Sequence, residues 1–252
     1  MDKLLDEAGP VRVLYSAVAA ICIGEFGEAA APILRAEKKK RPDDLLEMLV
    51  VNDRRMRRLE RPGWSVVIGD PNRPRDADAI VGVCAHVKGH HPTFVFTPPC
   101  NADFSRDLAF QNAVLIQVAD ATQAGNVALT PILPILVGVD VSLDDYCVMF
   151  PPGSRHVGWG AWRYEAGHVG SELIARWVSG PVFEKMQPRK SNWSVLLAPV
   201  QGTSRTLQEL QECDMEVLRQ LDEHDSILAG IFIFSDDSDG YGLGIIATQE
   251  MP

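Results

Sequence analysis

Four side chains that could bind a transition metal lie within the eight positions from 84 to 91. They are Cys84, His86, His90 and His91. If position 84 lies at a strand end, Cys84 and His86 share one face and could bind a transition metal together. The spacing matches no standard zinc motif, and histidines in a polar loop are more often part of a solvated turn. We therefore prefer the solvated turn, with a metal site as the alternative.

A basic stretch interrupts an otherwise acidic sequence. Its members are Arg54, Arg55, Arg57, Arg58 and Arg61, in a chain of 252 residues with a formal net charge of −10. A solvated helix face is the simpler interpretation, because long arginines usually lie at surfaces. The alternative is a site for an anion or for the acidic turn at 235–240 of another subunit. Such a contact would weaken as salt rises.

The common enzyme motifs are missing from the sequence. It contains no G-x-S-x-G, H-E-x-x-H, complete phosphate loop or dinucleotide-binding G-x-G-x-x-G, so the usual hydrolases and dehydrogenases lack support. The apolar fraction of 46% is typical of a globular protein. The acidic balance makes nucleic acid an unexpected partner.

The cysteines indicate a reducing compartment. There are five of them, scattered and without a C-x-x-C pair: Cys22, Cys84, Cys100, Cys147 and Cys213. Free thiols are the simplest interpretation. The N-terminus lacks the basic start of a secretory signal, and the apolar stretch Val13–Ile23 is too short to cross a membrane. The sequence thus predicts a cytoplasmic protein without a membrane span.

The first half of the chain is predicted to form a parallel sheet. Six short apolar runs are expected as strands: Val11–Val18, Leu45–Val51, Trp64–Ile68, Ala79–Ala85, Thr93–Thr97 and Ala113–Val118. Continuous apolar runs indicate strands covered on both faces, and therefore an α/β fold with helices on both sides of a mostly parallel sheet. The connection His86–Pro92 is too short for a crossover helix. The strands on either side of it should then be antiparallel, or a helix has been lost.

The second half is predicted to form an α+β unit. Helices are expected at His168–Ser179 and from Thr206, and strands at Trp193–Ala198, Ile227–Phe234 and Tyr241–Thr248. The segment Pro151–His168 is expected to be irregular because of its glycines, with its aromatic residues in the core. We predict two domains, 1–138 and 139–252.

The order of short motifs resembles that of the tubulin/FtsZ superfamily over nearly the whole chain. Leu46–Arg58 resembles the family's F-x-A-V-N-T-D-x-x-x-L, Phe94–Pro98 its V-V-T-x-P, and Val114–Asp120 its L-I-x-I-P-N-D. Ala77–Val81 resembles its A-D-M-V-F strand. The final strand ends in Ala247-Thr248, where the family has V-A-T-G. The resemblance implies a nucleotide-binding-type domain followed by an activation-type domain.

The glycine-rich signature of that family is missing. Its phosphate loop G-G-G-T-G-T-G cradles phosphates with backbone amides at a helix start. After Ala79–Ala85 this chain instead has His-Val-Lys-Gly-His-His-Pro, and its first loop retains only Gly24 and Gly27. Glu25 and Glu28 beside those glycines would repel a phosphate. The resemblance thus implies a fold that has lost GTP hydrolysis.

Two other functional regions of the family are altered or only partly retained. The loop that reaches the next subunit's nucleotide is N-x-D-x-x-D in the family, and here it contains Asp140, Ser142 and Asp145. The resemblance implies a guanine-base site at Asn126 and Asp120, and Asn52, Asp53 and Thr97 are further candidate binding residues. The simpler interpretation of Asn126 is a helix cap. Pro131 and Pro134 are expected to kink or shorten the helix that follows it.

These observations favour a non-catalytic FtsZ-like protein. We expect a pseudo-GTPase scaffold that self-associates into an oligomer or filament, or docks on another protein. The alternatives are a sensor or enzyme that reuses the cleft near Asn52, Thr97, Asp120 and Asn126, and an auxiliary subunit of a larger complex.

Overall fold

The computed structural model describes residues 17–40, 47–52, 64–89, 91–109, 111–137, 142–166, 193–201, 226–229, 232–233 and 240–250. The helices are α1 Gly24–Lys40, α2 Pro74–Val87, α3 Ala102–Ala109, α4 Ala121–Val137 and α5 Leu143–Met149. The strands are β1 Ala17–Cys22, β2 Glu47–Asn52, β3 Trp64–Ile68, β4 Thr93–Thr97, β5 Ala113–Gln117, β6 His156–Ala166, β7 Trp193–Gln201, β8 Ser226–Ala229, β9 Phe232–Ile233 and β10 Gly240–Glu250.

The described strands form one sheet in the order β2-β1-β3-β4-β5-β6-β10-β7-β8, with β9 also paired to β7. From β2 to β6 all neighbours are parallel. β10 is antiparallel to both β6 and β7. The predicted α/β class with a mostly parallel sheet is thereby confirmed.

Each face of the sheet is covered by a different set of helices. One buried cluster joins Val66 and Ile68 of β3 to Leu34 of α1 and Val127 of α4. The other joins Val67 of β3 to residues of α2 and α3, including Ile80 and Leu108. Successive strand residues point to opposite faces, so both sets of side chains must be apolar. The burial of both faces of the sheet explains the continuous apolar runs in the sequence.

The predicted strand Ala79–Ala85 is wrong, because this segment belongs to helix α2. Ile80, Val83 and Cys84 are the buried positions, and their spacing of three and four residues places them on one helix face. Pro74 lies in the first turn, where its missing N–H costs no helical bond. The helix supplies the crossover between β3 and β4, so the short connection at 86–92 neither reverses a strand nor replaces a lost helix.

Other boundaries also differ from the prediction. β1 is shifted toward the C-terminus and overlaps the predicted Val11–Val18 only at its end; the rest of that span lies outside the described residues. α4 continues through Pro131 and Pro134 as one helix of 17 residues and is not shortened. Within Pro151–His168, the segment from His156 onward forms the regular strand β6. The predicted helices at 168–179 and from 206 lie outside the described residues.

One continuous sheet crosses the predicted boundary at 138/139, because β5 pairs with β6. The side chain of Gln123 on α4 adds a second connection. Its Oε1 accepts a hydrogen bond from the Trp162 N–H at 2.8 Å, and its Nε2 donates to the Trp162 carbonyl at 3.2 Å. The two-domain division itself stays a prediction. In the described part of the chain, no helix is long and apolar enough to cross a membrane.

A cluster of aromatic side chains fixes α5 to the sheet. Phe94 of β4 packs edge-on against Tyr146 and Phe150, with ring centroids 5.4 and 5.3 Å apart. Trp64 lies 5.5 Å from Tyr146. The Tyr146 hydroxyl donates a hydrogen bond of 2.8 Å to the carbonyl of Pro131 on α4. α5 is therefore held by both the sheet and the long helix.

His156 makes this cluster sensitive to pH. The residue is 4% exposed, and neither ring nitrogen has a hydrogen-bond partner among the described residues. Its ring packs edge-on against Phe150 at 5.0 Å. Burial lowers the pKa of His156, and Glu250 opposes this effect only in part. The folded chain therefore binds this proton less readily than the unfolded chain does.

We predict that the free energy of unfolding decreases as pH falls below about 6.5, the ordinary histidine pKa, and stops decreasing below the lowered pKa of folded His156. Urea unfolding at pH values from 7.5 to 4.5 measures this dependence. His156→Phe retains the aromatic contact and should remove the part of the pH dependence that comes from this residue. An identical pH dependence in both proteins would contradict the assignment.

Candidate functional site

The sheet order places a crevice between the carboxyl ends of β1 and β3. The chain goes from β1 outward to β2 and then returns to β3 on the other side of β1. Open α/β sheets hold their ligands at such a reversal. Here the β1–β3 crevice is formed by Ile23–Gly27, at the start of α1, and by Gly69–Asp76, which leads into α2.

The first wall is a tight strand-to-helix turn that requires two glycines. Gly24 has φ +61°, a conformation that residues with a side chain rarely adopt. A Cβ on Gly27 would lie 2.6 Å from the carbonyl oxygen of Ile68. The Ile23 N–H donates to that same carbonyl at 2.8 Å. The turn is consequently pressed directly against the end of β3.

Asp70 organises the second wall. Its Oδ1 accepts hydrogen bonds of 3.0 Å from both the backbone N–H and the side-chain Nδ2 of Asn72. The Asn72 Nδ2 also donates to the carbonyl of Pro99 at 3.1 Å. This amide therefore connects the loop after β3 to the loop after β4.

Most backbone amides of the second wall are unable to bind a ligand. The Gly69 N–H donates to Phe96, and the Asn72 and Arg73 N–H groups donate to Asp70. Pro71 and Pro74 have no N–H. A phosphate cradle needs several free amides that point at the same place. This loop lacks such a run.

Acidic side chains dominate the crevice. Arg73 forms an ion pair of 2.8 Å with Glu25 across the crevice and approaches Asp70 at 3.8 Å. The hydrogen bond and charge of Glu25 raise the pKa of Arg73, which therefore stays protonated. The Asp76 carboxylate lies where a Cβ of Gly24 would be, and its buried Oδ2 has no hydrogen-bond partner among the described residues. Three carboxylates thus surround one guanidinium.

Two of the predicted binding residues lie at strand ends on the same edge of the sheet. Asn52 ends β2 and Thr97 ends β4, with β1 and β3 between them, so about 14 Å separates their strands. Thr97 is fully buried, and its hydroxyl lies 3.7 Å from the Cys100 Sγ. Asn52 and Thr97 are thus well separated along this edge. Asp53 lies outside the described residues.

Asp120, and not Asn126, caps helix α4. Oδ1 of Asp120 accepts a hydrogen bond of 2.8 Å from the Gln123 N–H, a typical N-cap contact. Asn126 lies in the second turn and is half-buried. The cap interpretation of Asn126 is therefore wrong.

The predicted metal ligands do not come together. Cys84 points into the core, and burial raises the pKa of its thiol to about 12. His86 is exposed, and His90 lies outside the described residues. His91 instead approaches a residue that the sequence analysis did not connect with it, because its Nδ1 lies 3.2 Å from the Sγ of Cys147. In the part of the chain that the structure describes, no group of three potential ligands forms.

Ser142 and Asp145 of the predicted inter-subunit loop are engaged in helix capping. The Ser142 Oγ accepts the Asp145 N–H, while Oδ2 of Asp145 accepts the Ser142 N–H at 2.7 Å and its hydroxyl at 2.8 Å. These bonds lower the pKa of Asp145. The two residues form a capping box that starts α5. Asp140 lies outside the described residues.

Comparison with solved structures identifies the architecture. A structure of an empty FtsZ dimer from M. jannaschii superimposes with a TM-score of 0.67 at 9% sequence identity, covering 98% of this chain and 91% of that one. The chain has the FtsZ fold. CetZ from Methanosaeta thermophila matches with a TM-score of 0.53 at 9% identity, covering 91% of this chain and 85% of that one.

CetZ2 from Haloferax volcanii, in a GTPγS-bound protofilament, also shares the FtsZ fold. It matches with a TM-score of 0.52 at 10% identity and covers 92% of each chain. No protein-family model and no curated protein matches the sequence itself. The sequence resemblance to the tubulin/FtsZ superfamily is thus confirmed as a likeness of fold.

We predict that Gly24→Ala lowers the free energy of unfolding by about 2 kcal/mol, because it combines a positive φ with a clash against Asp76. Urea denaturation measures the effect. In Gly24→Ala/Asp76→Ala the clash is relieved and only the backbone strain remains. The loss of unfolding free energy in this double variant should therefore be about 1 kcal/mol smaller than the sum of the losses in the two single variants. Strict additivity would contradict the contact.

Proposed function

We propose that the protein is a non-catalytic FtsZ-like scaffold that self-associates. It has the fold of a cytoskeletal GTPase, and it forms contacts between copies without a nucleotide that times assembly and disassembly. The observation that carries this proposal is the chemistry of the β1–β3 crevice.

The crevice is poorly suited to a polyphosphate. Glu25, Asp70 and Asp76 would repel it, and the guanidinium of Arg73 already has carboxylate partners. The loop amides that would cradle a phosphate are either bonded within the chain or replaced by proline. Binding would require the ion pair to break and the loop to rearrange.

Two further observations support self-association. The structural neighbours include an FtsZ dimer and a CetZ2 protofilament. On this chain, α5 presents Val148, which is 83% exposed, next to the capping box of Ser142 and Asp145. In the proposed assembly, this surface of one copy meets the β1–β3 crevice of the next.

In this proposed contact between the α5 surface and the crevice of the next copy, the inter-subunit loop at Ser142 and Asp145 has a structural role. In a hydrolysing assembly a carboxylate from one subunit would orient water at the nucleotide of the next. Asp145 is instead held by three hydrogen bonds to Ser142. We therefore assign this loop to subunit contact and helix stability.

We predict that the purified protein neither binds nor hydrolyses GTP. Isothermal titration calorimetry with GTP and GDP, together with phosphate release, checks this, and chromatography of the denatured protein detects any nucleotide that copurifies. Bound GTP that is turned over would contradict the proposal. A different bound nucleotide or small ligand would favour a sensor or enzyme, and a monomer without any ligand would favour an auxiliary subunit.

We predict that Val148→Arg weakens self-association at least about tenfold, because a charge would have to be buried at the centre of a subunit contact. The arginine lies four residues after Asp144, where the pair supports the helix. Sedimentation velocity across a range of protein concentrations measures the effect. Ala85→Arg, at an exposed position of α2 on the other face of the sheet, is the matched control and should assemble like the unaltered protein.

A further inference from the structure

His91 and Cys147 form a side-chain pair near the amino ends of the parallel strands. The Nδ1 of His91 lies 3.2 Å from the Cys147 Sγ, across 56 positions of the sequence. His91 comes just before Thr93, where β4 begins, and Cys147 lies on α5. The β1–β3 crevice lies at the other, carboxyl, ends of the parallel strands. The pair is therefore separate from the crevice.

Trp64 of β3 holds the segments that carry both residues of the pair. Its Nε1 donates a hydrogen bond of 2.7 Å to the carbonyl of Pro92, the residue after His91. Its ring lies 5.5 Å from the ring of Tyr146, the residue before Cys147, and the Tyr146 hydroxyl is bonded to α4. Because Trp64 and Tyr146 are buried, the pair is set in place by core contacts on either side of it.

Cys147 differs from the other cysteines that the structure describes. Cys22 and Cys84 are buried, and burial raises the pKa of each thiol to about 12. Cys100 is half-buried, and its sulfur lies 3.7 Å from the Thr97 hydroxyl. Cys147 is also half-buried, but its sulfur contacts an imidazole, a base that can accept its proton. A nucleophile within hydrogen-bond reach of a base is the arrangement that covalent chemistry requires.

We propose that Cys147 and His91 form a thiol–disulfide exchange site for small aliphatic disulfides. Burial and the charge of Asp144 raise the pKa of Cys147, so at neutral pH the sulfur keeps its proton until a base takes it. In the tautomer that carries its proton on Nε2, the Nδ1 of His91 can be that base. A thiol with a raised pKa is also the stronger nucleophile once it is deprotonated.

The exchange balances without a further reagent. The Cys147 thiol gives its proton to Nδ1 of His91, and its sulfur attacks one sulfur of the small disulfide. One S–S bond forms as the other breaks, and the departing thiolate leaves with the electron pair of the broken bond. That thiolate then takes the proton from Nδ1. The products are a mixed disulfide on Cys147 and one small thiol.

The charge beside the pair selects among disulfides. Asp144 is exposed and lies three positions before Cys147 on α5, a spacing that places two side chains next to each other on a helix. Its carboxylate repels a disulfide with carboxylate end groups and attracts one with ammonium end groups. The formal charge of the whole chain, −10, acts in the same direction. The expected substrates are therefore cationic disulfides.

The exchange needs one chain only, so it does not depend on the proposed self-association. Failure of the exchange would leave the scaffold proposal unaffected, and failure of self-association would leave the exchange unaffected.

The rate of modification of Cys147 at pH 7.5 tests the role of the imidazole. The full chain is treated with cystamine, and peptide mass spectrometry follows each cysteine separately. We expect Cys147 to react at least about tenfold faster than Cys100, and His91→Gln to slow Cys147 at least about tenfold, because an amide can fill the contact but cannot take the proton. His86→Gln, at an exposed position of α2, is the matched control and should leave the rate unchanged.

Equal rates in His91→Gln and the unaltered chain would overturn the inference, as would a Cys147 that reacts no faster than Cys100. Cys84 reports on folding in the same samples, since its buried thiol can react only when the core opens. In a variant whose Cys84 stays unmodified, a slow Cys147 therefore reflects the missing base.

The charge preference provides a second test. Rates at Cys147 are measured with cystamine and with dithiodipropionate, which carry opposite charges, and are expressed as a ratio. Asp144→Asn should lower this ratio about threefold, and the intrinsic reactivities of the two reagents cancel in the comparison. Asp107→Asn, at an exposed position of α3 on the other face of the sheet, removes the same charge and should leave the ratio unchanged. An unchanged ratio in Asp144→Asn would overturn the assignment of cationic disulfides.

Discussion

Backbone amides can hold a phosphate only when they point outward. In the loop between β3 and α2, most amides instead donate hydrogen bonds within the chain. Asp70 binds Asn72 and Arg73, while Gly69 extends the hydrogen bonding to β4. Two prolines remove further donors. These local bonds make the loop rigid in the absence of any ligand. The loop between β3 and α2 is thus held by an internal polar network.

The charge of the crevice follows from the same replacement. Asp76 lies in the first turn of α2 and Glu25 in the first turn of α1, positions where helix dipoles favour carboxylates. In a nucleotide-binding protein a phosphate would satisfy the two helix starts. Here the chain's own carboxylates lie at the two helix starts, without a side-chain cap bond at α2, and Arg73 bridges the two walls. The ion pair is exposed, so it contributes little to the stability of the fold.

Much of the fold was accessible from the sequence because buried parallel strands leave a plain apolar signal. The prediction of a strand at 79–85 was wrong for the same reason, since Ala-Ile-Val-Gly-Val-Cys-Ala is apolar enough for a strand. The spacing of Ile80, Val83 and Cys84, together with Pro74, would have indicated the helix. This error placed the expected phosphate loop at His86–Pro92, which begins at the C-terminal end of α2, whereas the β1–β3 crevice lies at its N-terminal end. Asp76 and Arg73 were missed because their contacts depend on which strand lies next to β1 in the sheet, and the sequence does not show that order. The approach of His91 to Cys147 likewise joins positions 56 residues apart.

The two hydrogen bonds between the side chain of Gln123 and the backbone of Trp162 limit how the C-terminal strands can move against α4. A side-chain amide there takes the place of a neighbouring strand, at a point where β6 extends beyond the end of β5. Rotation of these strands against α4 would have to break both of these hydrogen bonds as well as the β5–β6 pairing. These strands and α4 are therefore expected to move together as one unit.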